Sequence, residues 1–509
     1  MLTLVWFKRD LRLADHQALW LASQAGAVLP VYVIEPDYWL LPDTSQRQWQ
    51  FLQQALELLH LQLRALGQGL VLRVGRVTEV FDELLATYPI SAVMSHQEIG
   101  GLWTYQRDKA VAAWCRSQQL PWHEYPQSAV FRPLKNRDDW FAKADLWLKS
   151  PCWPTPTALP HVVETPETLQ QSWPTLCFHP DDPGPCAGHQ QARHLQQYLD
   201  SFFAQRASQY RSGISKASTA RRSCSRLSPY LAYGMLSIRA LLQTTYRQMK
   251  TSPEPWLSHN LSAFFSRLRW HCHFMQKLED QVEIEQQCMH PLYEGMRQSD
   301  PTLLRAWALG QTGYPYIDAC MRSLRQTGWL HFRGRAMLVA FACYHLWLDW
   351  RDVAKHLARC FIDFEPGIHY PQVQMQAGTT GINPYRMYNP VLQSQQKDPD
   401  GQFIRRYVPE LAKVPTSYLH TPWLLNPSQQ VDYNVMLGRD YPEPVVDAKL
   451  AASQARQRLK EWQQQQSPQW QQLKQQVMHR HASRKRPVTI RRKAVAKQQL
   501  ALFETDDVI

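Results

Sequence analysis

The chain has 509 residues, 44% of them apolar and 20 of them tryptophan, enough for two or three domains with large cores. A formal charge of +13 favours an anionic partner, and nucleic acid is the commonest. Secretion and membrane insertion are not expected: Lys8, Arg9, Asp10 and Arg12 break the N-terminus before any long apolar run, and no stretch approaches the length of a membrane span.

From residue 1 to 130, short strand-like runs alternate with helical patterns. The strands are Thr3-Leu4-Val5-Trp6-Phe7, Val28 to Ile34, Leu70 to Val74 and Ala92-Val93-Met94. The helical patterns fall near 46–66, 77–86 and 103–118. This alternation predicts a parallel sheet covered by helices, an α/β domain. No Gly-x-Gly-x-x-Gly follows the first strand, so dinucleotide binding there is not indicated.

Residues 131–195 are rich in proline (Pro151, Pro154, Pro156, Pro160, Pro166, Pro174), which denies long helices and strands. This stretch reads as a connector ordered by its tryptophans. Residues 196–470 read as an all-α domain, with 452–476 a Gln-rich, solvated terminal helix. Residues 471–509 form a basic tail without an expected fold. From 479 onward eight cations face Glu504, Asp506 and Asp507, a net +5 of the chain's +13. Two readings of the tail stay open: a solubilising extension, or a non-specific phosphate clamp.

The ten cysteines are scattered without a Cys-x-x-Cys pair, which favours a reducing cytoplasm over a disulfide framework. His271 and His273 are two residues apart on a helix and so point in different directions, which argues against a metal pair. No metal is expected.

The most informative stretch lies between Gly310 and Leu411. Thr312-Gly313 makes a turn, Pro315 suits a helix start, and Ile317, Cys320, Met321 and Leu324 share one helical face. Thr327-Gly328 stops that helix. A second apolar helix follows, carrying Leu330, Met337, Leu338, Phe341 and Leu348. His331, Arg333 and Arg335 stand at its start, in a segment otherwise fit for burial. A buried arginine needs an anionic partner, and Asp363 is the candidate. Upstream, Ser223-Cys224-Ser225-Arg226-Leu227-Ser228-Pro229-Tyr230-Leu231 sets hydroxyls and a cation beside a helix start. Ser228 is placed to cap, and the free N–H groups favour a phosphate.

These motifs, with the opening Trp6-Phe7-Lys8-Arg9-Asp10-Leu11-Arg12-Leu13 and the later Tyr388-Asn389-Pro390, resemble the cryptochrome/photolyase family over residues 1 to about 412. The resemblance implies a Rossmann-like parallel-sheet N-terminal domain joined by a long connector to a helical FAD-binding catalytic domain, acting as a monomer. It implies FAD held by Tyr210, Cys224, Ser225, Arg226, Leu227 and Ser228, with Arg335 and Asp363 paired against the flavin ring and Glu365 and His369 at its edge. Cys224 stands where relatives usually have threonine. No cysteine follows Cys360, so the iron–sulfur set of some relatives is not expected. Ser95-His96-Gln97-Glu98-Ile99-Gly100, with Trp103, Arg107 and Asp108, matches the stretch where relatives contact an antenna chromophore. Folate, deazaflavin and an empty groove are not distinguished.

The resemblance further implies UV-damaged DNA as partner. Trp270 would stack on a lesion base, while Arg267 stands where repair enzymes carry a carboxylate. Met375, Tyr388 and Asn389 would complete the lesion side. His331 matches a proton donor of some repair enzymes, with a structural hydrogen-bonded role equally open. In the family's tryptophan relay the proximal position is Val373, the middle is Trp350 and the distal is near Arg297; Trp350 as core packing is equally open. The leading expectation is a light-driven, FAD-dependent DNA photolyase. A cryptochrome-like photoreceptor is the alternative, and a light-independent nucleic-acid-binding flavoprotein a third.

Overall fold

The computed structural model describes residues 1–134, 137–186, 191–252, 254–382 and 385–481. Five parallel strands form the N-terminal sheet: β1 (Leu2–Phe7), β2 (Ala27–Ile34), β3 (Val71–Val74), β4 (Ile90–His96) and β5 (Trp122–Tyr125), in the order β3-β2-β1-β4-β5. Helices α1 (Gln17–Ala25), α2 (Gln46–Ala65), α3 (Val77–Thr87) and α4 (Leu102–Ser117) cover both faces. Strand side chains alternate between faces, and both sides of β1 are buried as a sandwiched parallel sheet requires. Val5 and Phe7 pack with Leu19, Leu52 and Leu56, whereas Leu4 and Trp6 pack with Phe81 and Val93. Strand order reverses between β1 and β4, so their carboxyl ends open a crevice.

Two short or polar elements were not visible as patterns here. β5 is a four-residue edge strand, half exposed, and α1 is a nine-residue helix between β1 and β2. Within the connector, a helix at Trp140–Lys149 precedes the prolines. Among its other described residues only short 3-10 turns interrupt irregular backbone, and Trp173 packs edge-on against Trp49 of α2 at 5.7 Å. Leu159 and Leu169 are buried in the same core, so the connector is clamped to the first domain.

The second domain is helical. Its main elements are α5 (Ile238–Thr251), α6 (Pro255–Asp280), α7 (Pro315–Thr327), α8 (Phe332–Ala340), α9 (Trp350–Cys360), α10 (Pro366–Ala377), α11 (Pro390–Lys397), α12 (Ala448–Gln465) and α13 (Ser467–His481). The turn before α7 is fixed by Asp318, whose buried carboxylate accepts from the Thr312 and Gly313 N–H groups and from Tyr441 Oη. Gly313 there has φ +79°, and a Cβ would collide with the Glu443 backbone.

Two expectations are corrected. The helix after Gly328 does not reach Leu348: α8 ends in a π-helical turn at Phe341–His345, and the chain restarts at α9, capped by Asp349. The tail is not unfolded from residue 471, because α13 runs to His481. Trp470 stacks on His290 at 4.4 Å, and His481 Nε2 meets Gln281 Oε1 at 2.9 Å. Residues 482–509, which hold most of the tail cations, lie outside the described residues.

Candidate cofactor site

A cavity of about 620 Å³ opens in the helical domain, within the range of small-molecule sites. One wall is a stripe of α6 at helical spacing: Ala263, Arg267, Trp270, His271 and Phe274. The opposite wall comes from α8 (Phe332, Arg335, Ala336, Val339) and α10 (Ile368, His369, Gln372, Val373, Gln376). The loop at Cys224–Ser228 closes one end, and Asp363–Glu365 forms the floor between α9 and α10.

Arg335 and Asp363 are paired as the sequence demanded. Arg335 Nη2 donates to Asp363 Oδ2 at 2.7 Å, its Nε donates to Leu330 O at 2.7 Å, and Phe361 lies under the guanidinium at 4.0 Å. The Asp363 side chain is 2% exposed. Its second oxygen, Oδ1, is buried and accepts no hydrogen bond among the described residues. A buried carboxylate oxygen left without a donor is costly, so this corner is built for a donor from outside the chain.

The phosphate-type loop is held from behind. Arg206 donates to the carbonyls of Cys224 and Ser225, and Arg226 takes a left-handed φ of +61° between them and Leu227. Burial pushes the Cys224 thiol up to about 11 against the pull of Arg267, Arg226, Arg335 and Arg206. The thiol is therefore neutral, and of those arginines Arg226, Arg267 and Arg335 line the cavity. Tyr210 lines it too, its phenol raised by burial. Ser228 is not the cap: Leu227 holds that position, and Ser228 begins a five-residue helix with Pro229 second. Leu227 itself is buried in the core and does not reach the cavity.

At the floor, His271 Nε2 contacts Glu365 Oε2 at 2.9 Å. Burial lowers the His271 pKa, but the Glu365 carboxylate outweighs it and raises it to about 10, so the pair is ionic. His369 also lines the cavity. Its Nε2 meets Ala354 O at 2.9 Å, and burial lowers its pKa to about 4, leaving a neutral ring. The His271–Glu365 pair escaped the sequence reading, since its partners are far apart in the chain; the α6 stripe was the available signal. Trp329, Phe361 and Leu357 also join the wall.

Several expected residues stand elsewhere. His331 is buried behind Leu330 and Phe332, with Nε2 3.2 Å from Tyr316 Oη, and does not line the cavity. Burial, Arg335 and Arg333 lower its pKa to about 3, and the Tyr316 hydroxyl is its hydrogen-bond partner. Trp350 is core, its Nε1 3.3 Å from Cys288 Sγ, with the Arg351 guanidinium over its ring. The relay positions at Val373 and Arg297 carry no indole; Val373 lines the cavity and Arg297 stacks between Tyr344 and Trp347. Met375 is not among the residues that line the cavity. Tyr388 and Asn389 are not among them either: Tyr388 Oη donates to Gln376 Oε1 at 3.4 Å, and Asn389 Oδ1 caps α11.

The stretch assigned to an antenna chromophore lies at the crevice of the first domain. Arg107 bridges Glu98 at 2.6 Å, Asp108 at 2.8 Å and Glu35 at 3.2 Å, and Lys8 binds Asp108 at 3.2 Å. Beneath it, Asp10 Oδ2 lies 2.9 Å from His96 Nδ1 and 3.0 Å from His16 Nε2. This buried trio is the one group of metal-ligand types found among the described residues, and Asp10 also accepts from the Lys8 N–H at 2.7 Å. His271 and His273 point apart, His273 towards Arg137.

A parallel-sheet domain beside a helical domain, with a cation-lined cavity and a half-satisfied buried acid at its floor, defines a protein with a site for an anionic small molecule. Residues 264–461 match the family described as the FAD binding domain of DNA photolyase, and residues 3–140 the family described as DNA photolyase. A deoxyribodipyrimidine photo-lyase of Vibrio cholerae is 30% identical, covering 84% of this chain and 96% of its own. A cryptochrome DASH of Natronomonas pharaonis is also 30% identical, over 87% and 97%. The solved class III photolyase of Agrobacterium tumefaciens matches with TM-score 0.78 at 26% identity, over 91% of this chain and 98% of that one. The Synechocystis cryptochrome matches with TM-score 0.80 at 26% identity, over 90% and 99%. The chain belongs to the cryptochrome/photolyase family, and its helical domain is an FAD-binding domain.

Proposed function

We propose that this protein is a light-driven DNA photolyase that cleaves UV-induced pyrimidine lesions. The observation that carries the reading is the cavity itself: an acid with one unsatisfied buried oxygen at its floor, and an aromatic–cation pair, Trp270 and Arg267, on its α6 wall. Bound FAD would supply the light-driven one-electron chemistry that splits the lesion.

The chain's own residues bind, orient and exclude water. Asp363 Oδ1 accepts a hydrogen bond from the cofactor, and Arg335 holds that carboxylate in place. Arg226, Ser225 and Ser228 receive the pyrophosphate, with Arg206 fixing the loop. Trp270, 36% exposed, offers a face on which a flipped base stacks. Arg267, with its guanidinium 5.4 Å over the Phe332 ring, takes a DNA phosphate beside it. The protein acts as a monomer in a reducing cytoplasm, in keeping with its free cysteines.

Illuminating the holoprotein with an oligonucleotide carrying one cyclobutane or one (6-4) lesion tests the reading. Light-dependent loss of either lesion is expected. One observation favours a photoreceptor instead: Arg267 replaces the carboxylate that the family's repair members place on this wall. In that case the flavin changes redox state in light while both lesions persist.

A further inference from the structure

Oxidised flavin, once photoexcited, withdraws an electron from whichever nearby aromatic loses it most easily. Aromatic rings near the cavity differ sharply in what surrounds them. Trp329, on the wall, has the Arg226 guanidinium 5.4 Å from its ring. Trp350 faces Arg351 at 4.9 Å, and Tyr344 and Trp347 share Arg297 at 5.3 and 4.7 Å. Tyr388 has Arg333 at 5.4 Å. A cation over a ring opposes the positive charge that oxidation creates there.

Tyr370 is set differently. It follows cavity-lining His369 on α10, is 3% exposed, and packs 5.3 Å from the His369 ring and 6.2 Å from that of Phe364, a second wall residue. Its hydroxyl donates to Oδ2 of Asp43 at 2.7 Å, across the boundary between the two domains. Asp43 is buried just ahead of α2, in the sheet domain. Glu285 lies near enough for the Asp43 charge to contribute to raising its carboxyl to about 7. A phenol is far easier to oxidise when its proton has somewhere to go, and here the acceptor is already hydrogen-bonded.

We propose that Tyr370 is a redox-active residue of this site, giving one electron to photoexcited oxidised FAD while Asp43 accepts its proton. The inference rests on the FAD reading above. In the step, the Tyr370 O–H bond breaks, its proton moves to Asp43 Oδ2, and one electron crosses the packed rings to the flavin. The products are a neutral tyrosyl radical, a neutral Asp43 carboxylic acid and a flavin one electron richer. A thiolate reductant in solution returns an electron to Tyr370, becoming a thiyl radical, and Asp43 returns the proton. Two thiols oxidised in this way pair as a disulfide. Burial raises the Asp43 carboxyl above the ordinary range, which makes it the stronger base for this purpose.

The test is electron paramagnetic resonance of the oxidised holoprotein frozen under blue light. A neutral tyrosyl signal is expected, with its hyperfine structure collapsing when the protein is made with deuterated tyrosine. Tyr370→Phe should abolish it, and Asp43→Asn should cut its yield by about tenfold or more while Asp43→Glu restores it. Trp350→Phe should leave it unchanged. A tryptophan radical, a tyrosyl signal that survives Tyr370→Phe, or full yield in Asp43→Asn overturns the assignment. Should Tyr370→Phe fail to fold, the deuterated wild-type protein and Asp43→Asn decide alone: no tyrosyl hyperfine structure, no redox role. A purified protein without flavin absorbance would instead sink the cofactor reading before any radical is sought.

Discussion

Arg335 Nη2 and Asp363 Oδ2 are 2.7 Å apart, and the other oxygen of that carboxylate is buried without a partner. Removing one member of a buried pair costs about 3–5 kcal/mol, because the other charge is left uncompensated. Asp363→Ala should therefore purify nearly free of flavin, with a lowered Tm. Asp363→Asn, which keeps one acceptor oxygen, should retain part of the bound FAD. Flavin absorbance per protein after gel filtration reads both. Equal flavin content in wild type and Asp363→Ala would remove this carboxylate from the cofactor site.

How far the sequence reached depended on how local each signal was. The Arg335–Asp363 pairing was legible because a cation in an apolar helix demands an acid, and few acids stood near. The helices at 46–65, 77–87 and 102–117 carried their periodicity on their faces. His271–Glu365 was not legible, since only the packing of α6 against α10 brings the two together. Nor was the burial of His331: Leu330, Phe332 and His331 are neighbours in sequence, and which of them faces the cavity is decided by where α8 begins. The helical reading of 452–476 covered most of α13 but neither its last residues nor its docking, because only a buried stripe of Trp470, Val477 and His481 anchors this otherwise polar segment.

Trp270 and Arg267 lie on one stripe of α6, one turn apart, and make separable contributions. Stacking of one base on an aromatic is worth about 1–3 kcal/mol. Trp270→Ala should thus weaken binding of a lesion-bearing oligonucleotide by roughly tenfold or more, with little effect on undamaged DNA. Arg267→Ala should weaken both and lower the slope of log K against log salt by about 0.9, the contribution of one phosphate contact in a duplex. Fluorescence anisotropy across a salt series measures the two. A Trp270→Ala loss equal for damaged and undamaged DNA would reassign that residue to backbone contact.

His331 is neutral and out of the cavity, so lesion cleavage should show no ionisation belonging to it. Burial, with Arg335 and Arg333 nearby, sets its pKa at about 3. A general acid typically contributes about 10²–10⁴-fold. His331→Gln should slow cleavage by less than about tenfold and leave the shape of its pH profile between about 5 and 8 unchanged. Single-turnover cleavage under saturating light measures this, and a loss of several hundredfold in a variant that still binds FAD would restore the acid role.

The His271–Glu365 pair makes stability depend on pH in a defined direction. The His271 pKa is raised to about 10 in the folded protein, above its ordinary value near 6.5. The folded state thus holds a proton that the unfolded state releases first. The stabilisation is fully present below about pH 6.5 and is lost as pH rises through about 10. A hydrogen bond between charged partners is worth roughly 1.5–3 kcal/mol. Groups elsewhere titrate too, so the informative quantity is the difference in unfolding free energy between wild type and His271→Gln. That difference should be largest near about pH 6 and shrink towards zero above about pH 10. Denaturant unfolding of both proteins at the two pH values measures it, and a difference that stays constant would mean the imidazole is neutral in the fold.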